Sequence, residues 1–275
     1  MKITRVLWLI YKRLRTAFGV SLGFILIYGA YTGNLTLSLL PIALGFWCIH
    51  VYGDCYNDFE DYEQDIKNNR KDKWTTTGLL TREQMRNFSF FMCFFGLVFL
   101  WFTNFNVFLL GLLYSTTLFC YSNPKIHLKL YDFYGYVIVA FPLLLLPITL
   151  NTFFHRGFSL SDLFFTFFCF SQYVYLYCQK DSTDLKDETN LFLKRGWKNA
   201  TFICVGFAIL ASSLLLTMSF FSIVLLLVWG VHVFSKSVNL YKIYKKKITR
   251  KLRARLILVE FLTPYLYTGG VILGL

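Results

Sequence analysis

Apolar residues run along this chain in long unbroken blocks instead of in stripes with a helical or strand period. Nine such blocks lie near 16–33, 36–57, 86–103, 105–122, 134–151, 160–179, 199–217, 220–237 and 256–275. Blocks of about 20 residues match a hydrocarbon core of ~30 Å at ~1.5 Å rise per residue. The pattern predicts an all-α polytopic membrane protein of about nine transmembrane helices, a single transmembrane domain over 1–275. The joints between segments one and two, three and four, and seven and eight are very short and predict helical hairpins. The joints at 58–85, 123–133, 180–198 and 238–255 are longer and polar.

Composition agrees. The chain is 56% hydrophobic and 16% charged, against roughly 25% charged in an ordinary soluble domain. The net charge of +13 suggests nucleic acid until the charge is placed. With the N-terminus cytoplasmic, 27 of the 28 Lys and Arg fall on cytoplasmic segments and helix ends, leaving Arg156 on the other side. That is the positive-inside pattern, so no nucleic-acid partner is expected. It sets the N-terminus inside and the C-terminus outside; the expected home is a bacterial cytoplasmic membrane. The basic run Lys242 to Arg255 reads either as a lipid-headgroup contact or as an ordinary positive-inside anchor. The first apolar block is long and has no AxA-type cleavage site, so it reads as a mature helix and not as a removed signal.

The seven cysteines are scattered singly, with no CxxC and no Cys/His cluster. That speaks against a disulfide framework or a zinc site. His50 and His232 lie inside helices and read as structural. Glu260 is a lone carboxylate in the last apolar block, which reads as functional or as a headgroup-level partner of Arg253 and Arg255.

Two acidic clusters carry the candidate chemistry. Asp54, Asp58, Asp61 and Asp65 are spaced 4, 3 and 4, which at ~100° per residue places four carboxylates on one helical face. Asp181, Asp184 and Glu188 repeat the arrangement with spacings of 3 and 4. Like charges on one stripe repel, and near a membrane they are costly unless they bind something. All-oxygen ligands of this kind suit Mg²⁺, which takes one or two carboxylates together with substrate phosphates. The competing reading of the first cluster is a solvated loop balanced by Lys67, Arg70, Lys71 and Lys73. Asp132 reads as a helix cap or as a base.

At these residues the chain resembles a known family. Asn57-Asp58-Phe59-Glu60-Asp61-Tyr62-Glu63-Gln64-Asp65 matches the NDxxDxxxD pattern of the UbiA superfamily of intramembrane prenyltransferases. In order, Lys73-Trp74-Thr75-Thr76-Thr77-Gly78 resembles the family's RPLxSG stretch, with Lys73 for Arg and Trp74 for Pro. Tyr121-Ser122-Asn123-Pro124 with Lys129 resembles YSxP…LK. Asp181-Ser182-Thr183-Asp184 falls where the second aspartate motif belongs, and Gly196 and Ala200 resemble the residues that open helix seven.

The resemblance covers roughly residues 8–275. It implies a Mg²⁺-dependent enzyme that moves an isoprenyl group from an isoprenyl diphosphate to an aromatic (quinone-precursor) or lipid acceptor. It implies Asp58, Asp61, Asp65, Asp181, Asp184 and Glu188 as metal ligands, with Asp58, Asp61, Asp181 and Asp184 catalytic. Asn57, Lys73, Tyr121 and Lys129 would bind substrate. The same superfamily leaves open a terpene cyclase. Phosphoribosyl transfer to a polyprenyl phosphate is a further alternative, supported weakly by Asn69-Arg70-Lys71. A transporter is the reading from another class; it predicts helices broken at mid-membrane, and only five prolines occur.

Overall fold

A computed structural model describes residues 4, 23–70, 73–131, 133–182, 190–219, 222–249, 252, 263, 266–268 and 271. Among these residues the secondary structure is helical, with no strand. The helices are α1 (Gly23–Tyr31), α2 (Leu39–Glu60), α3 (Tyr62–Lys67), α4 (Arg82–Trp101), α5 (Phe105–Ser122), α6 (Phe133–Phe153), α7 (Leu160–Asp181), α8 (Leu191–Ser219) and α9 (Ile223–Tyr244). Five of them, α2, α5, α6, α8 and α9, are long and apolar enough to cross a membrane. Eight of the nine apolar segments read from the sequence coincide with one of these helices. The ninth, 256–275, falls largely outside the described residues, as do Glu260 and Asp132.

The chain divides into two compact units, Met1–Leu128 and Lys129–Leu275. In the first, α2 is the centre and packs on α1, α4 and α5. Most of its residues are buried, and accordingly its sequence carries no amphipathic stripe. The tightest approach is between α2 and α4, where Gly45 and Gly96 meet. A Cβ on Gly96 would stand 2.8 Å from the Gly45 carbonyl oxygen. Small residues at a crossing let two helices close in where apolar burial gives no drive between them.

In the second unit each helix packs on its neighbour in sequence, α6 on α7, α7 on α8 and α8 on α9. Helix α7 starts on a capping box in which Ser159 and Asp162 satisfy each other's backbone N–H. Helix α8 is interrupted at Gly196, whose φ of 73° and ψ of 157° are not helical. The apolar pattern places its start near 199 because Lys194, Arg195 and Lys198 interrupt the apolar run, while helical turns begin at Leu191.

Helix α9 is a correction. The apolar block ends at 237, yet the helix runs to Tyr244. Its last turns change to an amphipathic pattern, with Asn239 and Ile243 buried and Tyr241 and Tyr244 exposed. Counting apolar composition misses a turn that is held by periodicity. The Trp197 indole N–H donates to the Ile243 carbonyl at 2.7 Å and so satisfies one of the open carbonyls at that helix end.

Candidate active site

The first acidic motif does not leave the membrane helix as a loop. Helix α2 continues through Asp58 to Glu60, bends at Asp61 (φ −83°, ψ 7°) and resumes as α3 through Asp65. The Asp61 N–H still bonds to the Asn57 carbonyl at 2.9 Å, and the Asp65 N–H to the Asp61 carbonyl at 2.8 Å. The backbone therefore keeps the one-faced spacing approximately while the bend re-aims it. Asp58 is fully buried and Asp65 nearly so; Asp54, Asn57 and Asp61 are half-buried.

Lys73 comes to this face from 15 residues along the chain. Its Nζ lies 2.5 Å from Asp58 Oδ1 and 3.8 Å from Asp65 Oδ2. The 73–80 segment is built to hold it there. Trp74 is buried against Val51, Cys55 and Met85. Thr77 Oγ1 donates to the Lys73 carbonyl at 2.7 Å, and Thr76 Oγ1 donates to the Arg70 carbonyl. Gly78, at φ +71°, closes the turn, and the Leu79 N–H bonds back to the Trp74 carbonyl at 2.9 Å. A tryptophan where the family pattern has proline thus replaces a rigid backbone with a side-chain anchor. Not every acid joins the cluster: Glu63 pairs at the exposed surface with Arg82 at 3.6 Å.

The 121–124 motif docks on the same part of α2. Ser122 Oγ donates to Asn57 Oδ1 at 3.1 Å, and Asn123 Nδ2 donates to the Tyr56 hydroxyl at 3.2 Å. Tyr121, at the last turn of α5, is half-buried beside them in sequence. Within the first unit, residues 57–65, 73–78 and 121–124 therefore share the C-terminal end of α2.

In the second unit, Asp181 is the last residue of α7 and is buried. Its Oδ2 accepts from the Tyr136 hydroxyl at 2.5 Å and from the Leu191 N–H at 2.8 Å. Asn190 Nδ2 donates to the Asp181 carbonyl at 2.7 Å. The carboxylate is thus fixed between α6 and the first turn of α8, where an N–H and the helix dipole favour negative charge. Lys129 is buried in a 3₁₀ turn over Leu128–Leu130, not set on an open loop. Asp184 and Glu188 lie outside the described residues.

The acids fit a hard divalent cation. Asp58 and Asp65 already share one cation, the Lys73 ammonium, through oxygen atoms alone. Among the described residues, no three His, Cys, Asp or Glu side chains converge as a self-contained metal site would require. Mg²⁺ does not need that, because substrate phosphates and water complete its shell.

Three residues escape a reading of the sequence. Tyr136 hides among the many aromatics of the chain and has no signal. Asn190 looks like loop. Lys236 does carry a signal, because it lies inside a span. The apolar block ends one residue beyond it, so it counts among the 27 basic residues of the cytoplasmic flanks. The structure buries it on α9, a correction to that count.

The sequence profile of the UbiA prenyltransferase family matches residues 16–259. No match to a curated protein was found. Among solved structures, a UbiA homologue from Archaeoglobus fulgidus bound to DMAPP and Mg²⁺ is similar at 15% identity. It covers 96% of this chain and 99% of its own, with a TM-score of 0.67. The same homologue bound to GPP and Mg²⁺ gives 15% identity, 95% and 98% coverage, and 0.64. A structure concerning digeranylgeranylglyceryl phosphate synthase in membranes gives 16% identity, 97% and 98% coverage, and 0.64.

Proposed function

Because the chain belongs to the UbiA prenyltransferase family and is an integral membrane prenyltransferase, we propose that it transfers an isoprenyl group from an isoprenyl diphosphate to a separate aromatic or lipid acceptor, with Mg²⁺ as its metal. The observation that carries the proposal is the buried cluster in which Asp58 and Asp65 share the Lys73 ammonium. Buried like charges of this density persist only where cations are bound. The solved relatives that hold DMAPP or GPP together with Mg²⁺ support the same pairing of metal and donor.

In this reading Asp58, Asp61, Asp65, Asp181, Asp184 and Glu188 hold the metal. Bound Mg²⁺ neutralises the phosphate oxygens and makes the diphosphate a better leaving group. Lys73 and Lys129 meet phosphate oxygens, for which an ammonium serves as a point charge. Tyr136 and the Leu191 N–H orient the Asp181 carboxylate. Asn57, held by Ser122, and Tyr121 line the donor end. The apolar spans take the isoprenoid tail and keep water from the allylic carbon. The whole of 1–275 acts as one transmembrane domain, with its N-terminus and both acidic motifs on the cytoplasmic side.

Product mass tests the proposal. Purified protein in detergent with Mg²⁺, GPP and a panel of aromatic and lipid acceptors should give donor hydrocarbon joined to acceptor. Acceptor and diphosphate should be consumed and released in equal amounts. A cyclic hydrocarbon or alcohol formed at full rate without acceptor overturns transfer in favour of cyclisation.

A further inference from the structure

Helix α3 has six residues, Tyr62–Lys67, far fewer than the ~12–15 at which a helix begins to stand alone in water. Its direction after the bend at Asp61 is therefore set by contacts from outside the helix. That direction decides where Asp61 and Asp65 lie relative to Asp58, which belongs to α2 before the bend. Lys73 supplies one such contact on the acidic face. A second comes from the other end of the same stretch of chain. Arg82 is the first residue of α4. Its Nε–H donates to the Phe59 carbonyl at 3.3 Å. Its guanidinium lies 5.0 Å from the ring centroid of Phe59 and 5.7 Å from that of Tyr62. One of its terminal nitrogens is 3.6 Å from Glu63 Oε1.

Phe59 precedes the bend, and Tyr62 and Glu63 follow it, so one side chain grips both arms. The Phe59 carbonyl lies in the last turn of α2, among those that a helix end leaves open. Phe59 and Glu63 each stand two residues from Asp61, which at ~100° per residue puts them ~160° around the helix from it. Arg82 thus meets the back of the acidic motif. It is itself held in place: Thr81 and Gln84 close a capping box at 2.9 and 3.1 Å, and Phe59 packs against the core around Trp74. Two plainer accounts of Arg82 fall short. An exposed Arg–Glu pair contributes little, and these two side chains are 42% and 69% exposed. A basic residue at a helix start runs against the helix dipole, which favours acids there, so α4 gains nothing from it. What sets Arg82 apart is an Nε–H bond combined with stacking on two rings. A planar guanidinium provides both at once and an ammonium does not.

We propose that Arg82 is a positioning residue that fixes the bend at Asp61 and so sets Asp61 and Asp65 against Asp58 for binding Mg²⁺ with the donor diphosphate. It acts through the backbone of 59–63 and not on substrate. The inference rests on the metal role proposed above for those three aspartates.

The experiment is a Mg²⁺ titration of the full chain in detergent with GPP, read by thermal unfolding and, with the acceptor panel, by diphosphate release. It compares the wild type with Arg82→Lys, which keeps the charge, and Glu63→Gln, which removes only the ion pair. Without ligands, both variants should unfold near the wild-type temperature. Arg82→Lys should need about tenfold more Mg²⁺ for half-maximal stabilisation and for half-maximal release, with its rate recovering at high Mg²⁺. Glu63→Gln should follow the wild type. The proposal is overturned if Arg82→Lys keeps the wild-type Mg²⁺ midpoint, whether its rate is unchanged or is lowered equally at every Mg²⁺ concentration as a merely structural defect would do. It is also overturned if Glu63→Gln moves the midpoint as far as Arg82→Lys, since charge alone would then suffice. If GPP with Mg²⁺ fails to stabilise the wild type, the metal–diphosphate reading itself fails and the inference falls with it.

Discussion

An ammonium shared by two buried carboxylates offsets one of their two charges, and removing it has different consequences for stability and for activity. Lys73→Met leaves Asp58 buried without its 2.5 Å partner and should cost about 3–5 kcal/mol, the usual penalty for breaking a buried pair. Adding Asp58→Asn should restore most of that stability, because the uncompensated charge is gone, while turnover stays lost. Thermal melts and diphosphate release on the single and double variants measure both halves. Equal instability of the double variant would show that Lys73 does not balance Asp58. Asp61→Asn keeps shape and removes the charge of a proposed metal ligand, so it should abolish turnover in a folded protein, as should excess EDTA; full activity in either case removes the metal role. Tyr136 donates to Asp181, so its proposed role is to position that carboxylate. Tyr136→Phe loses one hydrogen bond to a charged oxygen, about 1.5–3 kcal/mol, and should lower kcat about tenfold or more. Because that bond orients the Asp181 carboxylate, the variant should also need more Mg²⁺ for half-maximal rate, a shift that packing damage alone would not produce.

At the scale of elements, two glycines have distinct structural reasons. Gly96 lies where α4 crosses α2, and an added methyl would meet the Gly45 carbonyl oxygen at 2.8 Å. Backbone cannot move aside as a flexible side chain does, so Gly96→Ala should lower the unfolding temperature sharply. Gly206→Ala on α8, where a Cβ meets nothing within 4 Å, should hold or raise it, since alanine is the better helix former by about 1 kcal/mol. Gly196 also has open space, yet its φ of 73° and ψ of 157° fall in a region reached essentially by glycine alone. Gly196→Ala should therefore cost about 1–3 kcal/mol of backbone strain. A melt of Gly196→Ala equal to that of the wild type would mean that the break in α8 is not held at this residue. The bend at Asp61 is the matching feature of α2, since it turns the motif without interrupting the backbone bonds to Asn57 and from Asp65.

For the whole molecule, the testable property is orientation. By the positive-inside rule, the 27-to-1 split of Lys and Arg predicts the 152–159 connection on the far side of the membrane. Burial of Lys236 reduces the cytoplasmic count by one and leaves the asymmetry intact. On a background without the seven native cysteines, a cysteine at position 155 should be labelled by an impermeant reagent only from outside the cell. Labelling only from the cytoplasm inverts the topology. Arg156 is the exception on that side, and it has a local partner in Asp162 at 3.2 Å, which also caps α7. An ion pair there needs no cytoplasmic location.

Sequence alone determined what depends on composition and short spacing. Apolar blocks marked the positions of eight of the helices now described, five of which are long and apolar enough to cross a membrane. The NDxxDxxxD pattern, the 73–78 stretch and the 121–124 stretch were legible because their chemistry is carried by residue type at fixed separation. Tertiary structure decided the partners. That Lys73 serves Asp58 and Asp65 depends on Trp74 finding the pocket between Val51, Cys55 and Met85, contacts that reach as far as 23 residues along the chain and that no local pattern encodes. That Asp181 is held by Tyr136 depends on α6 packing beside α7. Whether Lys236 is a flank or an interior group depended on where α9 ends. Its amphipathic last turns and the Trp197 bond to Ile243 extend the helix beyond the apolar block. The reason is the same in each case: hydrophobic burial and span length are properties of a segment, whereas a hydrogen bond or an ion pair belongs to two residues that only folding brings together.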